Sequence, residues 1–287
     1  MQKSRLWLLY TAINTIFIGI WGAFIELPEK AGFPATLGYV VWVATMLPCT
    51  LLSLYLTGWK LETDLRSIFL GAMVGLLGAG GQLMLFEALR IGPAYILFPL
   101  ITLFPLLTIL LSVVLLRETC SRRQWTGIAV ALLAAFFLAF QPGKHGPASG
   151  NIWLIMAMAV FVMWGTQAYV MKFANNTMKA ESIFFYMAVA SLLLVPVALA
   201  MTDFSQPINW GWKGFGMAIP VHLLNAIGAL MLVYALRFGK AIIVIPLTSL
   251  SSVITVILSL IIYGVVPDAV LSAGLLLASV AIVILSE

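Results

Sequence analysis

The chain is a succession of apolar runs of about 20 residues, separated by short polar connections. That pattern leaves few folds open. A run of this length can cross the hydrocarbon of a bilayer as a helix, and its continuity, without alternation, excludes the strands of a barrel. Composition then decides the solvent. Hydrophobic residues make up 63% of the chain and charged residues only 9%, against roughly a quarter charged in a soluble domain. The lipid bilayer is therefore the expected partner. The net charge of +5 does not point to nucleic acid, because the basic residues lie between the runs and form no compact block.

Ten spans are expected, over residues 6–25, 36–58, 67–89, 93–116, 124–140, 151–171, 181–202, 213–236, 241–264 and 269–286. The first follows Lys3 and Arg5 as a signal peptide would. It runs on to Ile25 without a small-residue cleavage site, so it is read as a retained helix. The connection "QPGKHGPASG", residues 141–150, divides the chain into halves 1–140 and 151–287. With the N-terminus inside, the inner loops hold eleven lysines and arginines and the outer loops four. The positive-inside bias thus puts both termini in the cytoplasm of a multi-pass cell-membrane protein, with the 141–150 linker external. The sequon "NNT" at Asn175–Thr177 then falls on the inner side and is read as chance. Cys49 and Cys120 form no metal or redox pattern.

The two halves repeat each other. "EALRIGPAYILFPL" at Glu87–Leu100 returns as "YALRFGKAIIVIPL" at Tyr234–Leu247, 147 positions later. The same offset carries Gly81 to Gly228, Pro99 to Pro246 and Gly127 to Gly274, and with small gaps Trp21-Gly22 corresponds to Trp164-Gly165. Because each half has an odd number of spans, the second copy enters the membrane from the opposite side. The expected fold is therefore an all-α membrane protein of ten transmembrane helices, built as two inverted five-helix repeats. Such a pair can pack in two nearly equivalent ways, one open outward and one inward, which is the physical basis of alternating access.

These residues resemble the drug/metabolite transporter superfamily, in its ten-span EamA-type branch, over nearly the whole chain. The resemblance rests on Trp21-Gly22 with its partner in span 6, and on "ALRIGPA…FPLITLFPLLTILLSVVLLRETCSRRQWTGIAVALLAA", where a small-residue turn, a proline-bearing span, Glu118 and Gly127 follow in order. It implies a secondary transporter of small metabolites, amino acids or drugs, often outward. The second half departs at the glutamate: the counterpart of Glu118 is Val265, and the nearest acid is Asp268.

Polar residues deep in a span usually face the bundle interior, because a polar group in hydrocarbon is costly unless paired. Asn14, Gln82, Gln167, His222 and Asn225 meet that description, and His222 and Asn225 share a helix face. They are candidates for substrate binding, with interhelical hydrogen bonding as the alternative. A proton is a candidate coupling ion through His222. Trp21, Trp164 and Tyr186 are candidate stacking groups, whereas Trp42, Trp59, Trp153, Trp210 and Trp212 are read as interface-belt or packing residues. Gly71, Gly75 and Gly228 are expected to allow close helix approach, and Pro99 and Pro246 to bend their spans. No carboxylate is expected at the centre of a span, which fits neutral or zwitterionic solutes better than lipophilic dications. No cofactor or metal site is expected. The stretch "GAMVGLLGAGG" lacks the Lys-Ser/Thr of a phosphate loop, there is no HExxH, and His145 and His222 are the chain's two histidines. A small-molecule exporter is thus preferred to a broad drug exporter, a membrane scaffold or an enzyme.

Overall fold

A computed structural model describes residues 6–92, 94–139, 152–263 and 268–286. The 141–150 connection and Val265 lie outside these residues. All regular secondary structure described is helical: α1 Leu6–Phe24, α2 Glu26–Lys30, α3 Ala35–Leu56, α4 Leu65–Ile91, α5 Ala94–Thr102, α6 Phe104–Leu115, α7 Arg122–Ala139, α8 Ile152–Asn175, α9 Ala180–Leu193, α10 Val195–Ala200, α11 Met217–Phe238, α12 Ala241–Ser249, α13 Ser251–Tyr263 and α14 Ala269–Ser286. A π-helical turn, Trp212–Gly216, leads into α11.

Seven stretches are long and apolar enough to cross a membrane: Leu6–Lys30, Ala35–Leu56, Leu65–Ile91, Ile152–Asn175, Ala180–Ala200, Trp212–Phe238 and Ala241–Ile262. Leu100–Leu115 and Ala269–Leu285 are shorter apolar helices. The bundle is apolar outside. Leu52, Leu56, Leu110, Ile155, Leu193, Ile261 and Leu276 are exposed, while Asn14, Thr108, Asn175, Glu181, Ser191 and His222 are buried. Water would penalise that arrangement, and lipid favours it.

Helix α4 packs along α8 and α9, and α11 packs along α1 and α3. The broken helix α5–α6 lies on α8, as α12–α13 lies on α1, and α7 pairs with α14. Each of these contacts has a partner contact reached by moving one repeat along the sequence. Local details repeat as well. Helix α4 stops at Gly92 and α11 at Gly239. Both glycines are extended, and their N–H groups donate to Ala88 O and Ala235 O at 2.8 Å. A side chain at Gly92 would strike Trp153 Cβ at 2.5 Å, and one at Gly239 would meet Trp7 Cβ at 3.0 Å. Glycine ends these helices because a tryptophan side chain lies across each stop, joined at Gly239 by Val244.

The mid-span breaks correspond too. Leu103 separates α5 from α6, and Leu250 separates α12 from α13, again 147 positions apart. Pro105 follows the first break, as a proline in the first turn of a helix should, but Ser252 occupies the matching position after the second. The turn thus forms without a proline. Pro246 is buried within α12, upstream of its break, and the side chain of Pro99 lies outside the described residues.

Small residues bring α4 against its neighbours. A Cβ at Gly71 would lie 2.5 Å from Tyr186 Cβ, and one at Gly75 would lie 2.6 Å from Met187 O and 2.7 Å from Ala190 Cβ. On α11, Gly228 faces Ile18 of α1, whose Cδ1 would be 2.8 Å from an added Cβ. The backbones approach as closely as small residues permit.

Candidate functional site

A cavity of about 270 Å³ lies where both halves meet. Its wall takes Asn14, Trp21 and Ile25 from the α1 segment, Tyr39 and Trp42 from α3, and Gln82 and Phe86 from α4. The other side supplies Trp164, Gln167 and Met171 from α8, His222, Asn225 and Leu232 from α11, and Thr248, Ser249 and Ser251 around the Leu250 break. Phe104, immediately after the Leu103 break, completes it. Seven of the eight polar and aromatic candidates, all but Tyr186, are brought to this one wall. Tyr186 is buried between α4 and α9 instead, where its hydroxyl donates to Glu62 O at 2.6 Å. Trp42, read above as a belt or packing residue, also lines the cavity. Of the other tryptophans in that group, Trp59, Trp210 and Trp212 are exposed, and Trp153 packs beneath Gly92.

The polar groups of the wall fall into two sets. Some are committed to the scaffold. Asn14 Nδ2 donates to Gly228 O at 2.8 Å, so it ties α1 to α11, and Trp164 Nε1 donates to Gly78 O at 3.3 Å. Others are free. Gln82, Gln167 and Asn225 make no hydrogen bond with the described residues. Trp21 Nε1, Trp42 Nε1 and His222 Nδ1 are buried without a partner, while His222 Nε2 abuts Gly38, where an added Cβ would be 2.7 Å away. Unpaired buried donors are uncommon and costly. No charged side chain lines the cavity among the described residues.

The scaffold hydrogen bonds follow the repeat in a register that pairs Gly165 with Gly19, not with Gly22 as the Trp-Gly motifs suggest, because Gly165 packs on Leu107 and Phe104 O as Gly19 packs on Ile254 and Ser251 O. Thr108 Oγ1 of α6 donates to Gly165 O of α8 at 2.9 Å, and its counterpart Thr255 Oγ1 of α13 donates to Gly19 O of α1, also at 2.9 Å. Each hydroxyl fixes a broken helix to the long helix beside it.

Beyond Met171 and Leu232 the bundle is tied by polar side chains. Glu118 accepts from Ala241 N at 3.2 Å and Ile242 N at 3.0 Å, placing a carboxylate on the N-terminus of α12. Arg117 before it adopts φ 55°, a left-handed conformation unusual for a side-chain-bearing residue, at the turn that presents Glu118. Lys172 Nζ, 4.0 Å from Glu118, donates to Leu236 O at 2.9 Å, in the last turn of α11, and to Gly239 O at 2.6 Å, just past its end. Glu181 accepts from Tyr234 OH at 2.6 Å, and Asn175 Nδ2 donates to Val233 O at 3.0 Å. Asn175 is thus a buried structural residue, which removes the sequon from consideration. Arg237, at the same end, donates to Met178 O at 2.8 Å, whereas Arg90 is exposed and pairs with Glu87.

Besides the place of Trp42, the sequence reading does not reach Tyr39, the Thr248–Ser249 pair or the capping role of Glu118. Tyr39 carried no polar neighbour to mark it. Thr248 and Ser249 sit in a polar pair, "TSLSS", that interrupts an apolar span and could have marked the break. Glu118 was noticed as a motif residue, but its helix-capping partners are distant in sequence.

An apolar exterior around a cavity that holds amides, indoles and one imidazole in a mainly apolar wall defines a multi-pass helical membrane protein. The chain belongs to the EamA-like transporter family, which matches residues 5–140 and again residues 151–287. It is accordingly a membrane transporter of the drug/metabolite transporter type, for which a small-molecule substrate is implied. An uncharacterized protein of Methanocaldococcus jannaschii is 29% identical over 133 residues, covering 46% of this chain and 95% of that protein. A solved crystal structure shares the fold with TM-score 0.80 and 16% identity, covering 97% of this chain and 98% of the other.

Proposed function

We propose that the protein is a secondary transporter that exports small net-neutral metabolites, amino acids among them, across the cell membrane by alternating access. In this reading the fourteen α-helices of the described residues group into ten spans, with α1–α2, α5–α6, α9–α10 and α12–α13 each a single interrupted span. Residues 1–140 and 151–287 are inverted five-span repeats joined by an external 141–150 linker, and both termini are cytoplasmic. The exchange-symmetric helix contacts, the paired breaks at Leu103 and Leu250, and the paired threonine bonds support it. So does the archaeal relative, 95% of whose length is matched by less than half of this chain.

The observation that carries the reading is convergence: Asn14, Trp21, Gln82, Trp164, Gln167, His222 and Asn225, scattered over both halves, share one cavity beside two helix breaks. Substrate sites of inverted-repeat carriers form at such discontinuities. His222 is the histidine of the lining, a candidate either to bind the solute or to couple a proton. A broad drug exporter is the second reading, favoured by the aromatic wall. The absence of a carboxylate from the described lining weighs against cationic drugs.

The test is counterflow in proteoliposomes. Vesicles preloaded with a panel of neutral metabolites should take up the labelled solute in exchange. Uptake of tetraphenylphosphonium alone would favour the drug exporter, and uptake of no solute by well-folded protein would remove the carrier reading.

A further inference from the structure

The polar groups that the scaffold leaves free indicate what the cavity takes. A solute with a full charge would enter a wall with no opposite charge among the described residues, and an unpaired buried ion is strongly disfavoured. A zwitterionic amino acid, which the carrier reading admits, would bring two such charges, so the lining narrows that reading to its uncharged members. The free groups are instead carboxamides. Gln82, Gln167 and Asn225, from α4, α8 and α11, each hold a carbonyl acceptor and an NH2 donor side by side with no protein partner. Such a pair is complementary to a ring edge on which a donor and an acceptor are adjacent, as in the bidentate contact of Asn or Gln with adenine.

The walls favour a ring as well. Tyr39 and Trp42 meet edge to face at 5.6 Å, and Phe104 and Trp164 at 6.0 Å, so aromatic surface comes from both halves. Planar heterocycles gain from stacking on such side chains. Asn14 and Trp164 keep their donors on Gly228 O and Gly78 O, so they shape the wall.

From these juxtaposed free amides, aromatic walls and uncharged lining we infer that the substrate is an uncharged planar heterocycle with adjacent in-plane donors and acceptors, of the nucleobase class. The inference rests on the carrier reading of the same cavity.

The test uses the full-length protein in detergent and in proteoliposomes, with tritiated adenine and uracil as probes and tritiated phenylalanine as the zwitterionic comparison. Saturable adenine or uracil binding and counterflow, with phenylalanine at least tenfold weaker, is the expected result. Gln82→Leu and Gln167→Leu should each weaken base binding at least tenfold, with Asn225→Leu as a third variant should either fail to fold. Melting temperatures taken alongside separate loss of binding from loss of fold. Phenylalanine counterflow without base binding would overturn the nucleobase assignment and leave the carrier intact. Base binding unaffected in every folded amide variant would overturn the assignment of these side chains. Absence of counterflow for the bases, phenylalanine and the wider panel alike would remove the carrier reading and the inference with it.

Discussion

The cost of a misplaced side chain is clearest at Gly75. A larger residue there would press on Met187 O and Ala190 Cβ, which belong to a packed helix that cannot swing aside. Overpacking of this kind costs about 1–3 kcal/mol. Gly75→Leu should therefore lower the melting temperature in detergent and reduce turnover; a variant as stable and active as the parent would show that α9 can retreat from α4. His222 poses a different question. The described lining holds no carboxylate, Gly38 abuts the His222 Nε2, and Nδ1 has no partner, so an imidazole that hydrogen-bonds the solute accounts for its place. His222→Gln should raise the half-saturation concentration about tenfold, the equivalent of about 1.4 kcal/mol, with any dependence on a pH gradient retained. Unchanged exchange with that dependence abolished would assign the proton to His222 instead.

Helix ends and helix breaks differ in how readily the sequence announces them. Helix α4 is capped by Asp64, the residue before Leu65, whose carboxylate accepts from Ser67 N at 3.1 Å and Ser67 Oγ at 2.7 Å. These bonds hold the Asp64 carboxyl below the usual aspartate range. A carboxyl depressed on folding stabilises the fold above its unfolded pKa, and that contribution is lost as pH falls through the folded value. Asp64→Asn should thus melt slightly below the parent at neutral pH, with the gap closing under acid; a gap independent of pH would mean the charge plays no part. The stops at Gly92 and Gly239 were legible, because a glycine after "ALR" recurs in both halves. The break at Leu250 was not. Its twin at Leu103 is followed by a proline, whereas the second half offers only the polar run "TSLSS", a weaker mark that does not by itself forbid a continuous helix. The polar candidates were found from their depth in apolar spans, whereas Tyr39 and Trp42 were missed. An aromatic in an apolar span looks alike whether it faces lipid, core or cavity. Tyr186 looked like a cavity residue and proved to serve the α4–α9 seam.

At the scale of the molecule the expectation is one of sidedness. A cysteine at Ser149 should react with an impermeant maleimide on intact cells and one at Ser121 only after permeabilisation; the reverse pattern would invert the proposed topology. The polar tie at the end beyond Met171 should also control which state is occupied. In Glu118→Gln the carboxylate charge shared by the α12 amides and Lys172 is lost. Leu232→Cys should then label several-fold faster from that end, and an unchanged rate would make Glu118 a helix cap with no influence on the switch. Glu118 has Val265 as its counterpart, and a valine cannot accept those bonds. If one end is latched and the other is not, the two resting conformations differ in free energy and are unequally populated. A solute approaching from the less populated side must wait for the rarer form, so its apparent affinity is lower there by that fraction. Microscopic reversibility forbids any net pumping from this difference. The ratio of maximal rates must offset the ratio of half-saturation constants, so the protein would be lopsided in kinetics yet neutral at equilibrium. Any net direction of transport has to come from the gradients on its two sides.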